Sequence, residues 1–334
     1  MELLQYVALI SGCIATVLNV CLLPIILVYS SKKLSNYKYF LLTYTLNATI
    51  YSMAQVVSLG TFYVFKDGSF FYATNRFMPR HVQLAAVLLY IGAFLANLLI
   101  IAWCFFYRLS TMNNFEYFKK KWKIRLGLLL SFLLWFLLML STVPLLPNEK
   151  VDTEFDQALF NISNVALKDV VYVGGPFFVN GSLNPLMLVL LISYVSYSLL
   201  MAFLITVFWL RIHRSLHEIQ MMNLEGFKLQ YRVYILLSLQ TICPVVFNAT
   251  PVFIVALLGL LQIEIGKSIL LCGAVLSFAQ ILDPIFTVIL ISDYKAAVQR
   301  VICGYTTIFH AYIDPISHTT SSQLKNSATS RNFY

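Results

Sequence analysis

Apolar residues in this chain fall in seven long runs, separated by shorter connections where the charged residues collect. The runs extend over about Leu3 to Tyr29, Tyr39 to Phe65, Val82 to Tyr107, Leu126 to Leu146, Pro185 to Leu210, Val233 to Leu258 and Ser268 to Ile291. Each reaches the roughly 20 apolar residues that carry a helix across a hydrocarbon core about 30 Å thick, where backbone polar groups must bond within their own helix. The pattern predicts an all-α membrane protein, a bundle of seven transmembrane helices. Residues 1–302 form one such domain, closed by a short amphipathic helix over Asp293 to Ile302. Residues 303–334 form a cytoplasmic tail, mostly disordered, which from Asp314 to Tyr334 is rich in Ser, Thr, Asn and Gln, too poor in apolar area to fold and open to phosphorylation. A cleavable leader is not expected, because the first run lacks a basic segment ahead of it and exceeds the roughly 7–15 residues of a leader's apolar region.

Composition agrees with a lipid solvent: 60% of the residues are hydrophobic and 11% charged. The formal charge of +9 would suit a nucleic-acid partner if it lay on one surface, but it sits between the apolar runs. Its distribution sets topology instead. The first, third and fifth connections and the tail hold 17 of the 23 Lys and Arg, while the longest alternate connection carries Glu149, Asp152, Glu154, Asp156 and Asp169. Basic connections stay cytoplasmic, so the N-terminus is expected outside and the C-terminus inside. The same acidic connection contains the sequons at Asn161 and Asn180, which would then be open to glycosylation. The similar triplets at Asn47 and Asn248 lie within apolar runs and are read as buried polar residues.

Six cysteines are scattered singly, and no Cys or His grouping has the spacing of a metal site. His213 and His217 stand one helical turn apart without a third ligand nearby. The segment from Pro147 to Pro185 holds no cysteine, so packing must hold it or it moves freely. No cofactor and no enzymatic activity are expected.

Ionisable groups deep in a bilayer are costly and usually functional. Asp283 stands about 22 Å into the seventh run at 1.5 Å per residue, beside the helix-kinking Pro284. The pair suits a hinge, or else a carboxyl bonded to polar neighbours in one fixed arrangement. In the sixth run, Pro244 and Pro251 predict a bend, with Gln240, Thr241 and Asn248 able to cap freed carbonyls. Tyr107 and Arg108 close the third run, where Arg108 is placed at the membrane boundary as a lipid-headgroup anchor or a partner contact. Arg211, Arg214 and Arg232 add positive charge at the same end. Cys303 is a candidate for palmitoylation, or an unmodified thiol. Tyr90, Asn97, Tyr194, Tyr197, Phe247, Asn248 and Gln280 line the opposite half as uncharged ligand-binding candidates. Such a lining suits a small neutral molecule better than an amine or a nucleotide.

Asn36-Tyr37-Lys38-Tyr39, Phe106-Tyr107-Arg108, Gln240-Thr241 followed by Pro244, and Asp283-Pro284-Ile285 with Tyr294-Lys295-Ala296 occur in this order. Together they resemble the nematode seven-transmembrane chemoreceptors, the serpentine receptors of the str superfamily, in their srd-like or str-like groups. The resemblance implies a rhodopsin-like bundle in the plasma membrane of sensory cilia. It also implies an odorant or pheromone ligand and a heterotrimeric G protein as partner, and it leaves pairing with a second receptor open. By position, Tyr107-Arg108 would face the G protein and Asp283-Pro284 would form the hinge. The chain departs from ordinary receptors in having no acid before Arg108, Asp in place of Asn before Pro284, and no outer disulfide. Retinal attachment is not expected, since Lys267 lies at the boundary of the seventh run and no lysine lies inside it.

The alternatives are a seven-helix ligand-gated channel of opposite orientation, against which the charge count argues, and a transporter, which would want paired buried ionisable groups. Expressed with a C-terminal tag, the chain is expected to carry endoglycosidase-sensitive glycan at Asn161 or Asn180 while the tag stays shielded in intact cells. Absent glycan with an exposed tag would reverse the orientation and favour the channel.

Overall fold

The computed structural model describes residues 3–30, 34, 36–65, 67–75, 77–112, 120–147, 171–179, 181–222, 224–263 and 270–301. Its helices are α1 (Leu3–Tyr29), α2 (Tyr37–Ser58), α3 (Arg80–Met112), α4 (Lys121–Leu140), α5 (Pro185–Met222) and α6 (Leu224–Pro244). A π-helical stretch, Val245–Ala249, joins α6 to α7 (Thr250–Leu260), and α8 (Leu270–Leu290) follows. A last helix, α9 (Ser292–Val301), leaves the end of α8 at 97°. The bundle thus has seven spans, with α6 and α7 forming the sixth and α8 the seventh. Because successive spans alternate in direction, one end of the bundle gathers the basic connections. That end is called the basic end below.

Five of the spans are long and apolar enough to cross a membrane on composition alone. The second is long enough, at about 33 Å, but is more polar, and its Thr45, Thr49, Ser52, Gln55 and Ser58 are all buried against neighbouring spans. Outward faces are apolar: Ile10, Val17, Val28, Leu137, Leu199 and Phe203 are exposed. In water such a belt would be an aggregation surface; in lipid it costs nothing. The third span is the central post, half-buried along its apolar window, whereas only 11% of the window of the fourth is buried. The fourth span therefore meets mostly lipid.

The second span ends earlier than its apolar run. The helix stops at Ser58 and Leu59 turns into the left-handed region at φ 46°. Thr61–Phe65, which the run assigned to the helix, is instead a strand, β1, paired with β2 (Gly68–Tyr72). The β-branched and aromatic residues of Thr61-Phe62-Tyr63-Val64-Phe65 favour an extended chain once the left-handed turn has broken the helix. The carbonyls freed at the helix end are taken by the returning chain: Thr74 N–H and Asn75 N–H donate to Ser58 O, and Asn75 Nδ2 donates to Val57 O at 2.9 Å.

A third strand, β3 (Tyr172–Pro176), pairs antiparallel with β2, setting Phe70 against Gly174 and Phe71 against Val173. This answers how the cysteine-free segment is held: over its described part, backbone hydrogen bonds tie it to the connection between the second and third spans. Gly174 sits at φ 155°, and a Cβ there would come within 2.5 Å of the Phe70 backbone, so the close pairing needs glycine. A short hairpin, β4 (Phe178–Val179) with β5 (Ser182–Leu183), leads into α5. The sheet is largely buried and lies over the ends of α7, α8 and α3. Gly259 of α7 lets the Phe177 ring and the Gly68 backbone approach closely.

Candidate functional site

The seventh span carries a polar buried face that includes the buried acid Asp283. Ser277, Gln280, Asp283 and Thr287 recur at intervals of three or four residues, so they line one side of α8, and all are buried. Asp283 is 5% exposed. The Tyr44 hydroxyl of α2 donates to its Oδ2 at 2.5 Å. Thr287 Oγ1 donates to the Asp283 carbonyl oxygen at 2.9 Å, and Gln240 Nε2 of α6 reaches Thr287 Oγ1 at 3.5 Å. From the first span, Asn19 Nδ2 donates to the Gln280 carbonyl oxygen at 3.1 Å. One face of α8 is thus bonded to the first, second and sixth spans. The arrangement is the carboxyl held by a polar neighbour, and the neighbour is one the pattern of apolar runs did not single out. Tyr44 lies in the middle of such a run, and a tyrosine surrounded by Leu, Thr and Asn there is the available signal.

The face is not saturated. Asp283 Oδ1, Ser277 Oγ and both amide atoms of Gln280 have no hydrogen-bond partner among the described residues. Unpaired polar atoms in a dry interior cost about 1–3 kcal/mol each, which marks this face as a place where an alternative arrangement has something to gain.

The sixth span departs from regular α geometry between its two prolines. Over Val245–Ala249 it widens to a π-helix, and Thr250 Oγ1 donates to Val245 O at 2.8 Å. Pro251 lacks an N–H and its ring crowds the preceding turn, and a wider turn relieves both. Pro244 and Asn248 are buried at this wide turn, and with its side-chain amide turned so that nitrogen and oxygen exchange places Asn248 donates to Leu276 O of α8 at 3.0 Å. Pro284 is buried beside Asp283.

At the basic end, the placement of Arg108 differs from the sequence expectation. The third helix continues past Tyr107 to Met112, so Arg108 stands inside the bundle, 6% exposed, and not at its boundary. Its guanidinium lies over the Tyr37 ring, 5.8 Å from the centroid, and its Nε and Nη2 have no hydrogen-bond partner among the described residues. Tyr37 and Tyr294 are fully buried. Tyr37 stacks on Tyr107, and the Tyr294 hydroxyl bonds Ser30 Oγ at 2.7 Å. The aromatic cover extends to Phe40, which also stacks on Tyr107. Tyr37 and Tyr294 were visible in the sequence only as parts of short motifs. Their joint burial at this end is a product of the fold.

The other charged candidates stay outside. Arg211 and Arg214 are exposed on α5, and Arg232 is exposed on α6, where it hydrogen-bonds Ser292 Oγ. Between these helices Trp209, His213 and Tyr234 form a ring stack, so His213 is an aromatic contact of α5 with α6.

The uncharged ligand candidates are not gathered in one place. Asn248 and Gln280 converge on the face of the seventh span. Tyr90 hydrogen-bonds Tyr51 of α2 at 2.8 Å and stacks on Phe71 of the sheet. Tyr197 donates to Leu95 O of α3 at 2.6 Å, and Tyr194 donates to Leu138 O of α4 at 3.2 Å. Tyr194 therefore faces the fourth span and leaves the lining of the bundle interior. Asn97 is buried on α3, and Phe247 is half-buried at the π-helical stretch. Asn161, Asn180 and Cys303 lie outside the described residues.

Tyr44→Phe is expected to lower stability by about 2 kcal/mol, the range for a hydrogen bond to a charged or strongly polar group. In an Asp283→Asn background the same change should cost at least about 1 kcal/mol less. Thermal unfolding of the four proteins in detergent measures the coupling, and strictly additive losses would mean that the two side chains act apart.

The family model described as "Serpentine type 7TM GPCR chemoreceptor Str" matches residues 4–299. No curated protein matches the chain.

Proposed function

The chain belongs to the serpentine 7TM chemoreceptor family Str, and we propose that it passes the binding of a small neutral odorant or pheromone to a heterotrimeric G protein at the basic end. A chemosensory membrane receptor is what the family supplies; the ligand chemistry, the G protein and a site in the plasma membrane of a sensory cilium are the proposal. The observation that carries it is the covered guanidinium. A buried cation with two donor nitrogens unpaired is costly unless an acceptor arrives, and Arg108 stands beneath Tyr37 at the end where a cytoplasmic partner would dock. The described arrangement is then the closed state, with Tyr37 and Tyr294 sealing the cleft.

Ligand binding acts by population shift. A ligand that favours the open state moves the equilibrium only by its difference in affinity for the two states. A swing from 1:99 to 99:1 takes roughly 5.5 kcal/mol. The sixth span can absorb such a change at the π-helical stretch between Pro244 and Pro251. Its weak link to the seventh span, Gln240 to Thr287 at 3.5 Å, is a contact that can be given up at little cost. The Asp283–Tyr44 bond fixes, in the closed state, the seventh span against which the sixth packs.

Membranes containing Tyr37→Ala are expected to raise basal nucleotide exchange on added Gα several-fold over the wild type, because the cover over Arg108 is removed. Adding Arg108→Gln should return exchange to the level of receptor-free membranes with surface expression unchanged. Exchange that stays at the receptor-free level in Tyr37→Ala across the Gα classes would contradict the coupling mechanism.

A further inference from the structure

At the basic end, the junction of the sixth span with the turn from α8 into α9 encloses an open recess of about 320 Å³. One wall is polar and basic: Arg232 from α6, Ser292 and Lys295 from the first turn of α9, and Gln299 one turn on. The other wall is apolar, formed by Ile289 and Leu290 at the end of α8, and Ala296 of α9 also lines the recess. Ile289 is 59% exposed on the lipid-facing side, and Ile285, one turn deeper into the membrane, is also exposed. Of the described residues that line the recess, none is acidic. Asp293, next to Ser292 in the same turn of α9, is half-buried and is not among the residues lining the recess. Lys228, one turn from Arg232 on α6, and Arg300 at the end of α9 are exposed nearby and extend the positive field.

We propose that this recess binds the headgroup phosphate of an anionic phospholipid from the leaflet at the basic end, with the lipid's acyl chains lying along Ile289 and Ile285. The amphiphile's two halves match the two walls. A guanidinium presents paired donors to phosphate oxygens, an ammonium adds a mobile point charge, and the Ser292 hydroxyl supplies a neutral donor. The hydrogen bond from Arg232 to Ser292 already holds the guanidinium over the recess, so little side-chain freedom is lost on binding. A soluble anion would use the basic wall alone and leave the apolar wall in water. A lipid so placed touches α6, α8 and α9 together and stabilises the closed junction. The proposal stands whether or not the chain couples to a G protein.

The test uses the full chain in phosphatidylcholine nanodiscs and titrates a fluorescent phosphatidylinositol bisphosphate. Removing both charges with Arg232→Gln and Lys295→Gln should weaken binding about 30-fold, from the contribution of two basic residues at an anionic headgroup. Ala296→Trp keeps every charge and fills the recess, and it should weaken binding comparably. Lys123→Gln with Arg125→Gln, an equal charge loss on α4, should change binding less than about threefold. Equal weakening by the two charge pairs would show a diffuse surface effect and overturn the site. Full binding by Ala296→Trp would place the lipid elsewhere. Inositol trisphosphate competing as tightly as the lipid would make the occupant a free phosphorylated anion and overturn the lipid assignment.

Discussion

A carboxyl group buried within a membrane bundle is costly unless it is hydrogen-bonded. Asp283 meets that demand with a single short hydrogen bond from Tyr44, and the pairing fixes the seventh span against the second. Much of the bundle is organised around the same face of α8. Asn19 reaches it from the first span, Gln240 from the sixth, and Asn248 from the π-helical stretch. Asp283 Oδ1, Ser277 Oγ and the Gln280 amide have no hydrogen-bond partner among the described residues. A hub with polar groups unsatisfied is suited to exchange one set of partners for another.

The two ends of the bundle are closed by different means. At one end, strands from two connections form a buried sheet, and backbone pairing does the work that a disulfide would otherwise do. At the other, aromatic rings cover Arg108, and the sixth span meets α9 through Arg232 and Ser292. The sheet gives a rigid cap, since each strand residue is held by its neighbour. The basic end relies on ring contacts and on side-chain hydrogen bonds, Tyr294 with Ser30 and the exposed Arg232 with Ser292, which are easier to give up than a strand ladder. On the proposed reading, that asymmetry assigns rearrangement to the basic end of the sixth span and leaves the sheet in place.

The seven spans were legible because lipid imposes a length and composition that no soluble helix needs, and the first and seventh runs match their helices closely. The end of the second span was not legible, because Thr61–Phe65 is as apolar as a helix interior and only the turn at Leu59 and the pairing with β2 reveal a strand. The continuation of the third helix past Tyr107 was hidden for the opposite reason. Arg108 reads as a boundary residue by charge, and only the surrounding Tyr37 and Tyr107 show that it is enclosed. Of the site, Asp283 and the paired prolines stood out as exceptions to an apolar background. Tyr44 and Tyr37 did not, since a tyrosine is unremarkable in a membrane helix until its hydroxyl or ring is seen to meet a partner. The ligand candidates were chosen by depth and by lack of charge, and neither says which way a side chain faces, as Tyr194 shows.

The central claim is that the Asp283–Tyr44 bond holds the closed arrangement of the spans. Pulsed electron resonance between spin labels at Arg125 on α4 and Lys228 on α6 reads that arrangement directly. The wild type should give a single short distance, and Tyr44→Phe should add a second, longer population as the basic end of the sixth span is released. Identical distributions in the two proteins would contradict the account and leave the carboxyl as a local feature of the seventh span.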